Sequence, residues 1–369
     1  MTTPVGRLRH GLRQLLADRT WRPFDTTADD AEVDALLRAV ARHRVAPFLD
    51  RHAAAIEAPV RLRDELASRA DAARLSSLVQ MRRAVEVHDV LEAAGVPSLA
   101  LKGPCLAVQA YGDAASRDPG DLDVLVARAD VPRSVAALEA AGWTPDPTFL
   151  RPGPGAAWRY LGWSYYEIEL RRGAETVDLH WDLGPVRTGL PDVPALRARG
   201  ANVPIAGASL PTLAPEDALT HLCHHAAKDH WASLRSLLDV AALLRAGAAP
   251  AVRTPAVERT IALVDALLGV RPDDPRARPR TSPARTGADV ALALRWQDDA
   301  VRAADWRGGV RLEAQARFRE SRHPREVARF AAFKALGVAD DGSGTLAGLL
   351  RHRLGHRVGD RGRASSAGG

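Results

Sequence analysis

The sequence predicts an α+β protein in which a short block of strands is held between two helical stretches. Three observations lead there. Residues 64–94 run without an internal proline or glycine and repeat apolar positions at helical spacing. From Val96 the texture changes to short apolar runs separated by turn residues, and it holds to about residue 185. Beyond 186 the helical periodicity returns. A length of 369 residues suits two or three structural units. The expected division is a helical segment at 1–95, a strand-bearing core at 96–185 and a helical domain at 186–270. A Pro/Arg-rich linker at 271–287, C-terminal helices at 288–354 and a disordered tail at 355–369 complete it.

The elements follow in order. Met1 to Leu16 sets Arg7, Arg9 and Arg13 among leucines, which reads as an amphipathic helix rather than the apolar core of a signal peptide. Ala31 to Val45 is a second helix, and the long pattern Asp64 to Ala94 stops at Gly95. Ser98 to Leu101 is a strand that meets Lys102-Gly103-Pro104, where Pro104 suits the first turn of a helix running to Tyr111. Gly112 to Gly120 is a loop, Asp121 to Val126 a strand, and Val131 to Ala141 a helix closed by Gly142. Tyr166 to Leu170 and Thr176 to Leu183 form a hairpin around Gly173. Pro215-Glu216-Asp217 opens a helix that carries HLCHHAAKDHW, and Leu234 to Leu244 makes another. Shorter helical patterns lie near 288–304, 310–319 and 324–336.

Composition narrows the function. Hydrophobic residues make up 46% and charged residues 26%, the proportions of an ordinary globular chain. No run approaches the ~18 consecutive apolar residues of a spanning helix, so no membrane partner is expected. Cys105 and Cys223 cannot build a disulfide framework, and a cytoplasmic setting is expected. The pI near 9.9 invites a nucleic-acid reading. Its source is local, however: residues 271–369 carry 20 Lys+Arg against 12 Asp+Glu, whereas the first 270 carry 31 against 33. Only Lys102, Lys228 and Lys334 are lysine among 51 basic residues.

The chemistry concentrates in acids. In Asp121-Leu122-Asp123 a strand would point both carboxylates to one face while Leu122, Val124 and Val126 pack inward. Two like charges that close repel, and a divalent cation with its preference for oxygen ligands resolves the repulsion. In Thr176 to Leu183 alternation puts Asp178, His180 and Asp182 opposite Val177, Leu179, Trp181 and Leu183. If the two strands are neighbours, Asp178 completes a three-carboxylate cluster of the kind that serves phosphoryl or nucleotidyl transfer. Lys102 and Gly103, between a strand end and a helix start, suit a phosphate, and Arg117 is a further phosphate candidate. Each feature alone is compatible with a solvated face; their order along the chain is the specific signal.

That order resembles the nucleotidyltransferase superfamily of DNA polymerase β, and more closely its bacterial branch of uncharacterised nucleotidyltransferases. The resembling residues are Leu101-Lys102-Gly103, Tyr111, Arg117, Asp121 to Val126, Ala141-Gly142-Trp143, Val177 to Trp181, Leu222 to Lys228 and Leu237 to Ala241, across roughly residues 35–245. The resemblance implies a small mixed sheet with flanking helices and transfer of a nucleoside monophosphate from an NTP, ATP being the expected one. It implies two Mg²⁺ ions, with Mn²⁺ as substitute, on Asp121, Asp123 and Asp178, and triphosphate contacts at Lys102 and Gly103. The superfamily's usual Gly-Ser or Gly-Gly is here Lys102-Gly103-Pro104. The acceptor is left open among small molecules, peptides or proteins, and RNA ends. A non-catalytic, antitoxin-like nucleotide binder of the same fold, or a nucleic-acid binder using the basic C-terminal third, are the alternatives.

Other candidates are weaker. His221 and His225 share a helix face at i, i+4, but Leu222 stands where a zinc metalloprotease motif needs Glu. Packing or hydrogen bonding is the expected role of these histidines, with His180 and His225 as substrate-contact candidates. Trp143, Trp158, Trp163, Trp181 and Trp231 are expected in the core. No G-x-S-x-G, dinucleotide or Walker motif is present.

Overall fold

In the computed structural model, residues 3–298 are described apart from 25–27, 148, 154, 185 and 186, together with 325, 328, 329, 331, 332, 345, 347, 348 and 351. The chain opens with α1 (Pro4–Leu16), α2 (Asp30–His43) and α3 (Ala46–Arg51), followed by the 34-residue α4 (Val60–Ala93). β1 (Ser98–Ala100), α5 (Gly103–Tyr111), β2 (Leu122–Val126), α6 (Val131–Ala140), β3 (Thr144–Pro145) and α7 (Ala156–Ser164) come next. Then follow β4 (Glu167–Arg172), β5 (Glu175–His180), α8 (Val193–Arg199), β6 (Ala201–Ile205) and β7 (Ala208–Thr212). α9 (Pro215–Lys228), α10 (Leu234–Arg245), α11 (Pro255–Leu268) and α12 (Pro283–Gln297) complete the described elements.

The seven strands form one mixed sheet in the order β3-β4-β5-β2-β1-β7-β6. β2 runs parallel to β5 and antiparallel to β1, so it occupies the centre, and all five of its residues are buried. A central strand covered on both faces reads as a continuous apolar run, which is why Leu122, Val124, Leu125 and Val126 surround a single acid, Asp123.

α4 ties the two halves together. Its buried residues, Leu62, Leu66, Ala70, Ala73, Ser77, Gln80, Ala84, Val87 and Leu91, recur at steps of three and four and so form one stripe. The first part of the stripe joins a helical core that also contains α1, α2 and α9–α11; the last part joins the sheet core with Trp143, Leu138, Leu179 and Ile168. The N-terminal helices and the helices after the sheet therefore share one hydrophobic core, although the sequence separates them as 1–95 and 186–270.

Two boundaries differ from the sequence reading. The segment 186–270 is not wholly helical, because β6 and β7 extend the sheet by a hairpin. Pro204 and Pro211 break the apolar alternation there, and β6 tolerates proline because it lies at an edge. The turn is visible in retrospect as Ala206-Gly207, whose φ values of 49° and 85° are those of a two-residue hairpin turn with both central residues left-handed. The linker 271–287 contains the start of α12 at Pro283, capped by Ser282 Oγ accepting from the Arg285 amide. Most of the C-terminal helices expected at 288–354, and the whole tail at 355–369, lie outside the described residues. Among the described residues no helix is long and apolar enough to cross a membrane.

Candidate active site

Parallel pairing of β2 with β5 aligns Leu122 with Val177, Asp123 with Asp178 and Leu125 with His180. With a side-chain period of two, this register puts Asp123, Asp178 and His180 on one face and their apolar neighbours on the other. They form the floor of a cavity of ≈ 250 Å³. One ligand atom from each, two carboxylate oxygens and one imidazole nitrogen, all lie within 4.8 Å of one another.

Asp123 is paired by its own neighbours on the floor. Lys102 Nζ donates to Asp123 Oδ1 at 3.0 Å, and His180 Nε2 stands 3.1 Å from the same oxygen. A carboxylate accepts, so the His180 proton on that side resides on Nε2. On the other side His180 Nδ1 lies 3.3 Å from Glu167 Oε2, its cross-strand neighbour on β4. Asp123 and Asp178 are directly opposite each other yet titrate in opposite directions. Burial pushes Asp123 up, but Lys102 and His180 overcome it and hold the carboxyl well below the usual range. Asp178 is raised to about 7, chiefly by burial and then by the negative charges of Asp123, Glu167 and Asp121, which outweigh the relief from His180.

Asp121 precedes β2, is exposed, and accepts from Thr176 Oγ1 at 3.2 Å. It lines the cavity, but the tight ligand cluster contains His180 in its place. The loop before it is held from α4: Gln80 Nε2 donates to the carbonyls of Gly120 at 2.6 Å and Asp121 at 3.3 Å. Gln80 also explains Gly103, which starts α5 with φ +56° and whose absent Cβ would lie 3.3 Å from Gln80 Oε1. Sequence reading marked Lys102 and Gly103 but had no signal for Gln80, which acts across the fold.

Arg117 lines the cavity, with its Nε donated to Asp239 Oδ2 at 2.9 Å. Tyr111 donates its hydroxyl to the other oxygen of Asp239 at 2.8 Å. This buried trio ties α10 to the loop beside the carboxylates. Both cation and carboxylate are almost wholly enclosed, with side chains 6% and 1% exposed.

α9 and the start of α10 form the opposite wall, with His221, His225, Lys228 and Arg235 facing the cavity. His225 is half-buried and has Asp229 Oδ2 at 3.6 Å. His224 is turned to structure, its Nε2 sharing a 2.8 Å hydrogen bond with Thr254 Oγ1. His221 lacks the expected hydrogen bond: neither ring nitrogen has a partner among the described residues. Burial holds His221 and His225 well below the usual histidine pKa, so both are neutral. None of the five tryptophans lines the cavity; Tyr166 does, stacked on His180. Tyr166, Glu167 and Arg235 escaped sequence reading because nothing in their spacing ties them to the acids.

The donor set fits a divalent cation. Two carboxylates and an imidazole in one tight cluster, with Asp121 beside them, offer hard oxygen ligands and one borderline nitrogen. Among the described residues the α9 histidines belong to no such cluster. A family model described as uncharacterised nucleotidyltransferase matches residues 29–267, which takes in the sheet, the cavity floor and the helical wall. No curated protein and no solved structure matches the chain.

Proposed function

We propose that this chain, which belongs to the family of uncharacterised nucleotidyltransferases, transfers a nucleoside monophosphate from an NTP to an acceptor hydroxyl and releases pyrophosphate. The observation that carries this reading is the register that sets Asp123 beside Asp178 with His180 on the same face, at the floor of a cavity. ATP is the expected nucleotide. Asp121, Asp123 and Asp178 are assigned to hold Mg²⁺, two ions with Mn²⁺ as substitute. When bound, these ions supply charge stabilisation at the α-phosphate.

The remaining chemistry belongs to the chain's own residues. Asp178, on the cavity floor opposite Asp123, is assigned to take the proton of the acceptor hydroxyl. The acceptor oxygen then bonds to the α-phosphorus, the α–β bridging P–O bond breaks, and its electron pair leaves with pyrophosphate. Lys102 spends one of its three ammonium N–H groups on Asp123 and keeps two for phosphate oxygens. Gly103 opens α5 with the direction of its missing Cβ toward Gln80, and it is assigned to the triphosphate through the helix N-terminus, which favours negative charge. His180 and Lys102 both hold Asp123 Oδ1, and Glu167 Oε2 lies 3.3 Å from the other ring nitrogen of His180.

The test is incubation with nucleotides labelled at the α-phosphate (ATP, GTP, CTP and UTP in turn), Mg²⁺ and host extract. Labelling of an acceptor that disappears in Asp123→Asn, with the variant still folded, supports the proposal. Equal labelling by the variant refutes it. Nucleotide binding without pyrophosphate release across many acceptors points instead to a non-catalytic nucleotide-binding regulator.

A further inference from the structure

We infer that the helical wall of the cavity is an anion subsite and that the acceptor carries a phosphate group. The inference rests on the nucleotidyl-transfer reading, because it assigns the second substrate of that same cavity.

His221, His225 and Lys228 follow one another on α9 at i, i+4 and i+7, which places all three on one helix face. All three line the cavity that the carboxylates also line. His221 is 2% exposed, and neither Nδ1 nor Nε2 has a partner among the described residues. A buried polar group left without a partner is costly, and in folded proteins such groups are nearly always satisfied. Here the ring borders an open cavity, so a ligand can satisfy it. A neutral imidazole offers one N–H, which an oxyanion accepts.

The cations agree. Lysine is rare in this chain, three of 51 basic residues, yet two of the three, Lys102 and Lys228, line this one cavity. Lys102 is engaged with Asp123. Lys228 lies over the Tyr166 ring at 5.7 Å and has only a long contact to a carboxylate, 3.9 Å to Asp229. Arg235, in the first turn of α10, makes no ion pair among the described residues. It donates Nη1 to the Asp118 carbonyl at 2.8 Å, and its Nε is buried without a partner.

The cavity therefore has two places for anions. Lys102 stands beside the carboxylates, where the nucleotide's triphosphate is assigned. His221, Lys228 and Arg235 come to the same cavity from α9 and α10, and the second anion is assigned to them. A cationic acceptor would meet two ammonium or guanidinium groups there, and a neutral acceptor would leave Lys228 and Arg235 without a counter-charge. A phosphate oxyanion accepts from the imidazole N–H and answers the charge of Lys228 and Arg235.

Calorimetric titration of inorganic phosphate into protein saturated with Mg²⁺ and a non-hydrolysable ATP analogue tests this. Saturable phosphate binding to the loaded wild type is expected. Lys228→Met weakens it about tenfold while the analogue's own Kd moves less than about threefold. Lys228 is a partly exposed side chain, so its removal leaves the core intact; His221→Gln is read alongside, with a melting curve to establish folding. Phosphate that binds only without the analogue, or that competes with it, assigns the wall to the triphosphate and overturns the inference. An unchanged phosphate Kd in Lys228→Met, or no phosphate binding, overturns it as well. If the analogue itself fails to bind with Mg²⁺, the nucleotidyl-transfer reading falls, while titration of the unloaded protein still tests the subsite.

Discussion

At the strand floor of the cavity, Asp123 is met by Lys102 at 3.0 Å and by His180 at 3.1 Å; at the helical wall, His221 is met by no hydrogen-bonding partner among the described residues. The floor is assembled from neighbours in two short strands, and its Asp123 is paired before any substrate arrives. The wall comes from helices far along the chain, and the His221 ring and Arg235 Nε are left there without a partner among the described residues. A floor with internal counter-charges can be preorganised and stable at once, because a carboxylate cluster otherwise pushes its own members apart. A wall with unmet donors gains order from its ligand.

The largest effect comes from cutting the link between them. Arg117→Met leaves Asp239 buried and bound only by the Tyr111 hydroxyl. Removing one partner of a buried ion pair costs roughly 3–5 kcal/mol. Denaturant unfolding with an unchanged m-value is expected to report that loss. A loss below about 1 kcal/mol, the scale of an exposed pair, would mean that floor and wall are not coupled through Asp239.

The floor itself holds a contrast that pH separates. Asp178 titrates at about 7 in the folded protein, against ~3.9 in the unfolded chain. A raised carboxyl contributes stability that is fully present below the unfolded value and lost as pH rises through the folded one. Asp178→Asn removes this dependence. In chelator, the variant is therefore expected to gain on wild type by about 2 kcal/mol between pH 5 and pH 8. The opposite slope, or none, would mean that Asp178 is as well paired as Asp123.

A smaller effect is expected at Gly103. Its φ of +56° costs a side-chain-bearing residue roughly 1–2 kcal/mol, and Gln80 Oε1 would stand 3.3 Å from the new Cβ. Gly103→Ala should lower the melting temperature modestly and loosen the loop that Gln80 holds. A neutral outcome would show that α5 can begin without a left-handed residue.

The floor was readable in the sequence because its information is local. Alternation around Asp178 and a lone acid pair within an apolar run specify two buried strands, and their pairing brings the acids together. The β6–β7 hairpin was hidden because two prolines interrupt its alternation. Gln80 and Arg235 were hidden for a different reason: each acts through a tertiary contact that no spacing announces. Arg117 was legible as a cation near the acids, but not its engagement by Asp239, 122 residues away. His180 was marked for substrate, and the geometry brings it into the ligand cluster with Asp123 and Asp178.

One measurement bears most directly on nucleotidyl transfer: parallel incubation with ATP labelled at the α-phosphate and ATP labelled at the γ-phosphate, followed through acceptor and pyrophosphate. Nucleotidyl transfer places the α label on the acceptor and the γ label in pyrophosphate, and Asp123→Asn abolishes both. A γ label on the acceptor, or an α label transferred equally well by Asp123→Asn, would contradict it.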